Sequence, residues 1–402
     1  MSETTRTALV IGGGIAGPVA ATALLEAGID ARVYEAYPGP SHTIGSGLAI
    51  APNGLAALDI IGAGDPVRAI AVPVSSMRMS LGGKILSMPA LADVPPLQVV
   101  DRGELHRTLH EHAVRAGVAF EYGKRLVDVD EHESGVTARF ADGSTATADV
   151  LIGTDGIRST VRGLIDPAAK GPDYTGMLGF GALTECDLDL EPGVMTFAFG
   201  KRAYYLYWRH DDRRIAWGVN LPHKRYLSST EARAIPAQRW LRTLREVYGD
   251  DRPGGELARR TTEDQLEVVG ALHIMPPVRH WYRGRMVLVG DAVHAPSNSS
   301  GQGASLAIES AIEVARCLRD LPDPEHAFAA YEGLRRERVE GVAARAARVN
   351  VSKTPGPAGR AMMRLMMPLL TRTVMNPEKT MGHEQRYRID WDAPVRAASI
   401  GV

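Results

Sequence analysis

Only two cysteines, Cys186 and Cys317, occur in the 402 residues, and neither sits in a CxxC pair or beside paired histidines. A disulfide framework and a structural zinc are therefore excluded, and a reducing, cytoplasmic setting is expected. Charge of one sign is missing too. Lys and Arg number 46 against 47 Asp and Glu, which removes the electrostatic reason to expect nucleic acid as a partner. No apolar run approaches the roughly 20 residues of a membrane helix. The closest stretch, Met-rich Ala361 to Met375, is interrupted by Arg364, Pro368 and Arg372 and reads as an amphipathic packing helix. The opening MSETTRT lacks the basic, apolar and small-residue regions of a secretory signal. Internal repeats and low-complexity tracts are absent as well. What remains is ordinary: 45% hydrophobic and 23% charged residues, the balance of a globular chain long enough for two domains.

The pattern of elements predicts an α/β architecture. Ala8 to Ile11 is a short apolar run of the kind buried on both faces of a parallel sheet. GGGIAG follows, then a helix from Pro18 to Glu26 stopped at Gly28, then a second strand from Ala31 to Glu35. That is a βαβ unit. Helical spacing of Leu105, Leu109 and Ala113 predicts a helix over Gly103 to Ala116. Strands are expected at Val127–Val129, Val136–Phe140 and Val150–Gly153, with Asp142-Gly143 as a hairpin turn. Between Tyr174 and Leu272 the strands become short and aromatic, at Thr196–Phe199, Ala203–Arg209 and Ile215–Leu221, which predicts a separate antiparallel sheet. Arg285 to Gly290 returns to the parallel type, Ala304 to Leu318 is an amphipathic helix, and Gly356–Gly359 with its prolines marks a break before a helical tail.

Two constellations carry chemistry. Gly12, Gly14 and Gly17 lie between a strand and a helix, and Glu35 ends the next strand. Gly12 permits the tight turn, Gly14 lets the backbone reach a pyrophosphate, and Gly17 lets helix and strand approach. The helix N-terminus adds free amides and a positive dipole, and an acid about 20 residues on suits ribose hydroxyls. This pattern alone leaves FAD and NAD open. The second constellation, RMVLVGDAVHAPSNSSGQGASLAIESA, offers another strand end at Asp291 and another glycine-flanked helix start. A ligand that needs both is long. Asp291 suits a ribityl chain, and the amides near Gly301, Gln302 and Gly303 suit the pyrimidine edge of a flavin, which gains negative charge on reduction.

GGGIAG with Glu35, the LIGTDGIRSTVR stretch and GDAVH through GQG together resemble the single-component FAD-dependent aromatic hydroxylases, the monooxygenases of para-hydroxybenzoate, salicylate, kynurenine and tetracycline. The three motifs stand in the family's order near the start, middle and end of the chain. The resemblance implies that Gly12, Ile15 and Ala16 lie against the pyrophosphate, that Val127 meets the adenine through its backbone, and that Arg102 contacts the flavin. It implies that Asp155 positions pyrophosphate and a pyridine nucleotide, Asp291 the ribityl region, and Gly301 to Ala304 (Gly301, Gln302, Gly303, Ala304) the isoalloxazine. It further implies NADPH or NADH as co-substrate and oxygen transfer through a flavin C4a-hydroperoxide to a small aromatic molecule, by analogy a phenolic secondary metabolite. The expected division is a discontinuous FAD-binding domain over 1–75, 98–173 and 273–350, a β-sheet substrate domain over 76–97 and 174–272, and a C-terminal tail over 351–402.

Two positions depart from the family. His42 stands where many relatives have an arginine before the Gly45-Ser46-Gly47 loop, and Asn298 where many have proline near the reactive edge of the flavin. His42 and Gly47 therefore count as candidate cofactor contacts, and Asn298 as a candidate tuning residue. Read without the motif, Arg102 and Arg162 are surface or ion-pair arginines. Among the 12 histidines, His210, His223 and His294 also lie near candidate pocket segments; no triad or metal spacing includes them, and His294 reads as loop-positioning. Tyr205, Tyr207 and Trp217 are the candidate substrate residues, with Tyr204, Leu206 and Trp208 on the opposite face, and alternation alone does not show which face looks at the flavin. A flavin halogenase or reductase on the same scaffold, or an FAD protein without turnover, are the rival readings; the WxWxIP segment of halogenases is absent. Monomer and homodimer stay open.

Overall fold

The computed structural model describes residues 6–40, 47–81, 84–88, 91–352 and 378–396. His42, the Met-rich stretch and the Gly356–Gly359 break lie outside the described residues. A six-stranded sheet forms the base, in the order Tyr282–Arg283, Met286–Leu288, Val150–Gly153, Thr7–Ile11, Asp30–Glu35, Ala119–Tyr122. Every neighbouring pair is parallel except the Tyr282–Arg283 edge. Strands buried on both faces need continuous apolar side chains, and Val150–Gly153 and Met286–Leu288 are buried throughout. The helices Ala16–Glu26 and Gly303–Asp320 cover one side, and the Pro324–Ser352 helix packs on the latter. Asp101 caps the Arg102–Arg115 helix by accepting from Glu104 N at 2.9 Å.

A seven-stranded sheet is the second layer, in the order Leu266–Ile274, Asp173–Glu185, Arg214–Pro222, Tyr204–Arg209, Val194–Phe199, Ser76–Leu81, Lys84–Met88. It is not wholly antiparallel as the aromatic strands alone predict. Val194–Phe199 pairs in parallel with Ser76–Leu81, a strand recruited from the earlier chain. Helices Ser229–Ala234, Ala237–Tyr248 and Gly254–Arg260 cover one of its faces and form a core with Tyr205, Tyr207, Trp217, Trp240 and Tyr248. The other face packs Met195, Trp208 and Ala216 against Ala51, Val74, Leu97 and Val99. A small sheet, Leu48–Ile50, Leu97–Val100 and Val72–Val74, joins the layers, and a further antiparallel sheet holds the Gly143 hairpin, at φ 85°.

Residues 378–396 turn back across both layers. Ile389, Trp391 and Val395 pack on the main core, and Arg316 donates to the Asp390 and Ala393 carbonyls. At its other end Ala92 N donates to Glu378 Oε1 at 3.1 Å.

Candidate functional site

The glycine turn has the geometry its spacing implies. Gly12 adopts φ 105°, and a Cβ there would lie 2.6 Å from the Thr154 carbonyl oxygen. At Gly17 a Cβ would lie 2.0 Å from the Gly12 carbonyl oxygen, so only glycine lets helix and turn meet. Gly14 is different: a Cβ there meets nothing within 4 Å. Its backbone faces open space at the N-terminus of the helix that Ile15 and Ala16 begin, which is where a phosphate would be received. Glu35 reaches the same loop, its carboxylate accepting from Gly13 N at 2.6 Å and Tyr37 N at 2.9 Å. From the other side His106 Nε2 bonds the Gly13 carbonyl at 2.7 Å. Lys124 N donates to the Glu35 carbonyl, so half-exposed Val127 follows three residues after the segment that flanks Glu35.

The middle motif supports the turn at Asp291. Asp155 Oδ2 accepts from Thr160 N at 2.7 Å and Val161 N at 3.1 Å. Burial raises its pKa, and Oδ1 has no hydrogen-bond partner among the described residues. Arg162 is neither a surface nor an ion-pair arginine. It is 5% exposed and donates to the carbonyls of Ala292 at 2.8 Å and Ile157 at 3.0 Å, tying the GTDG segment to the GDA turn. Arg102 is exposed, and its charge opposes the burial that raises the Asp291 pKa. Gly290, at φ 65°, starts the short turn that carries Asp291. His294 does position this loop: it is buried, its Nε2 bonds Ser310 Oγ at 2.9 Å, and burial followed by the Arg335 charge pushes its pKa down to about 3.

Gly301 stands in the left-handed region at φ 62°, and the 18-residue helix starts at Gly303. A Cβ at Gly301 or Gly303 meets nothing within 4 Å. Two glycine-bordered cradles thus open beside acidic strand ends, one at Glu35 and one at Asp291. The residues present fit a dinucleotide as long as FAD, with amides for its phosphates and for the edge of its ring that becomes negative.

Sequence reasoning missed what stands behind these cradles. Asn53, 1% exposed, donates to Gln302 Oε1 at 3.0 Å and Glu309 Oε1 at 2.6 Å. Glu309 in turn is bound by buried Arg335 at 2.6 Å and Arg338 at 2.8 Å, whose charges hold its pKa low against burial.

The candidate substrate residues lie on the helix-covered face of the second sheet, a choice that alternation left open. Tyr205, Tyr207 and Trp217 lie in the core beneath the helices, with their polar atoms engaged there. Tyr205 OH donates to the Arg252 carbonyl, and Trp217 Nε1 to Thr184 and Thr261. The amphipathic Ala237–Tyr248 helix requires that face to bury Trp240, Leu244 and Tyr248. Leu206 and Trp208 alternate to the opposite side, where they pack with Ala51, Val74, Leu97 and Val99. A Cβ at Gly47 would lie 3.7 Å from the Trp208 ring. Asn220, in register with Tyr204 on that side, accepts from Asn298 Nδ2 at 3.1 Å.

Known proteins match this arrangement. A model of the FAD binding domain family matches residues 5–346. The chain is 31% identical over 361 residues to 6-hydroxynicotinate 3-monooxygenase of Pseudomonas fluorescens, covering 85% of this chain and 90% of that one. It is 30% identical to the FAD-dependent urate hydroxylase of Klebsiella pneumoniae, covering 84% and 88%. The crystal structure of Klebsiella pneumoniae HpxO with FAD and uric acid superimposes with a TM-score of 0.80 at 26% identity, covering 94% and 96%. Tetracycline destructase Tet(55), at 22% identity and a TM-score of 0.70, shares the fold. The chain therefore belongs to the FAD binding domain family of FAD-dependent aromatic hydroxylases and is a flavoprotein monooxygenase.

Proposed function

We propose that this chain uses NADPH or NADH and dioxygen to hydroxylate, or epoxidise, a small aromatic or phenolic molecule. One oxygen atom enters the product and the other leaves as water. Bound FAD supplies the electron carrier between nicotinamide and dioxygen. The chain's residues hold and shield it: Gly12 to Gly17 and Glu35 at the adenosine diphosphate end, Asp291 at the ribityl chain, and Gly301 to Ala304 at the ring. Asp155 positions the pyrophosphate and the incoming nicotinamide cofactor.

The observation that carries this reading is the face of the second sheet that meets Gly47 and Asn298. Leu206 and Trp208 present apolar surface there, and the Asn220–Asn298 pair adds a polar point. Such a wall excludes water while one hydrogen-bonding group orients a ring. Relatives named for 6-hydroxynicotinate and urate favour an electron-rich, hydroxylated ring; a phenolic secondary metabolite is the class we favour. The test is turnover under labelled dioxygen across phenols, hydroxypyridines and purines. Label in one product with matching NAD(P)H consumption supports the reading. Reductant lost only as hydrogen peroxide across the panel favours an FAD protein without oxygen transfer.

A further inference from the structure

Gly47, counted above as a candidate cofactor contact, and the Gly301–Gly303 turn, which meets the flavin in the reading above, are far apart in sequence. What fixes their separation is buried. The chain leaves the Gly47 loop through Leu48–Ile50 and enters the Pro52–Ile60 helix. Ala51 N donates to Ser305 Oγ at 3.0 Å. A Cβ at Gly54 would lie 2.7 Å from the Ser305 side chain, so the two helices touch backbone to side chain. Between these contacts Asn53 spends one amide hydrogen on Gln302, the N-cap of the Gly303–Asp320 helix, and one on Glu309 within it.

The Glu309 end of this clamp is immobile. Its carboxylate is 0% exposed and is bound by Arg335 and by both an Nε and an Nη2 contact of Arg338, at 2.9 and 2.8 Å. A buried carboxylate with two guanidinium partners keeps its charge and its place. The bond from Asn53 to it is charge-assisted, and it fixes which way the Asn53 amide points, since the reverse orientation would set two acceptors against each other. Gln302 is thereby held from behind at the N-cap of the helix whose first amides, in that reading, open toward the flavin.

We propose that Asn53 is a positioning residue for the flavin: through Gln302 and Glu309 it aligns the amides of residues 301–304 with the ring edge that becomes negative on reduction, and so raises the reduction potential of bound FAD. The proposal rests on the assignment of that edge to residues 301–304. Dipoles aimed at developing charge act only when held in place, and a clamp between the two flavin-facing segments holds them.

The test uses the FAD-loaded protein and reads the two-electron midpoint potential of the flavin, with far-ultraviolet circular dichroism as a check of fold. Asn53→Leu removes the clamp at similar volume, and Gln302→Met removes only its Gln302 end. Each variant is expected to bind oxidised FAD and to lose about tenfold in its preference for reduced over oxidised FAD, a fall of about 30 mV for a two-electron couple. The double variant is expected to fall no further, because both substitutions break one device. An unchanged potential in Gln302→Met, or effects that add in the double variant, overturns the proposal. Should Asn53→Leu fail to fold, Gln302→Met decides alone. Gly303→Val tests the underlying assignment separately: it is expected to expel FAD, and tight FAD binding in that variant would place the ring elsewhere.

Discussion

The Glu35 carboxylate is aimed by two backbone amides, Gly13 N and Tyr37 N, so little side-chain freedom is left to lose when a ribose arrives. Glu35→Ala is expected to weaken FAD binding by roughly 1.5–3 kcal/mol, the range for a hydrogen bond to a charged group. Fluorescence titration of the stripped protein measures it, and an unchanged affinity removes Glu35 from the site. Asn298 works at the other end. Asn298→Ala removes the bond from Asn298 Nδ2 to Asn220 Oδ1. FAD affinity should persist while a larger share of NAD(P)H is lost as hydrogen peroxide, read from peroxide formed per reductant consumed. Equal coupling in both proteins would reduce Asn298 to a turn residue. The placement of Glu35 and Asp291 beside glycine turns was legible, because residue type and position at a strand end define it. Asn53 and Asn220 were not, because their partners lie 249 and 78 residues away. An asparagine in a helix start or a strand carries no mark of what it will meet. Read without its motif, Arg162 gave no sign of its role for the same reason: its carbonyl acceptors exist only once the Asp291 turn is packed beside it.

Among the elements, the strands of the second sheet were legible and their orientation was not. Alternation in Ala203–Arg209 separates Tyr205 and Tyr207 from Leu206 and Trp208, but a strand with large residues on both sides hides which side is core. The helices decide it, since they bury an apolar stripe on one face, and the other packs against Ala51, Val74, Leu97 and Val99. Trp217→Ala is therefore expected to cost roughly 3–5 kcal/mol of stability, as large buried aromatics do, measured by denaturant unfolding, with FAD affinity at folding conditions unchanged. Trp208→Ala should act the opposite way, shifting substrate KM with a smaller loss of stability. If Trp217→Ala changes substrate KM and leaves stability intact, the assignment of faces is wrong. The parallel rung between Ser76–Leu81 and Val194–Phe199 was also out of reach. Pairing across that distance is chosen by the packed sheet, not by either strand's own pattern.

At the scale of the molecule, the parallel sheet and its helices make a core in which titratable groups are trapped in one state. His294 is ordinarily charged below about pH 6.5, yet burial and Arg335 keep it neutral down to about pH 3. Between those values the unfolded chain binds a proton that the folded one refuses, so its contribution to stability is full above pH 6.5 and falls as the pH drops toward 3. Thermal melts of the wild type and His294→Gln from pH 7 to 4 should show a shallower acid slope in the variant; parallel slopes would show that His294 is charged in the folded protein. The strand order of this sheet has a consequence for timing. Met286–Leu288 pairs with Val150–Gly153, which pairs with Thr7–Ile11. A ribosome thus releases the Glu35 half of the cradle long before the Asp291 half exists. In that interval Val150–Gly153 is an apolar edge with an open row of backbone donors and acceptors, a template for pairing with other chains. Nascent chains halted before residue 286 should be captured by chaperones, and added FAD should rescue folding only after the Gly303–Asp320 helix has emerged.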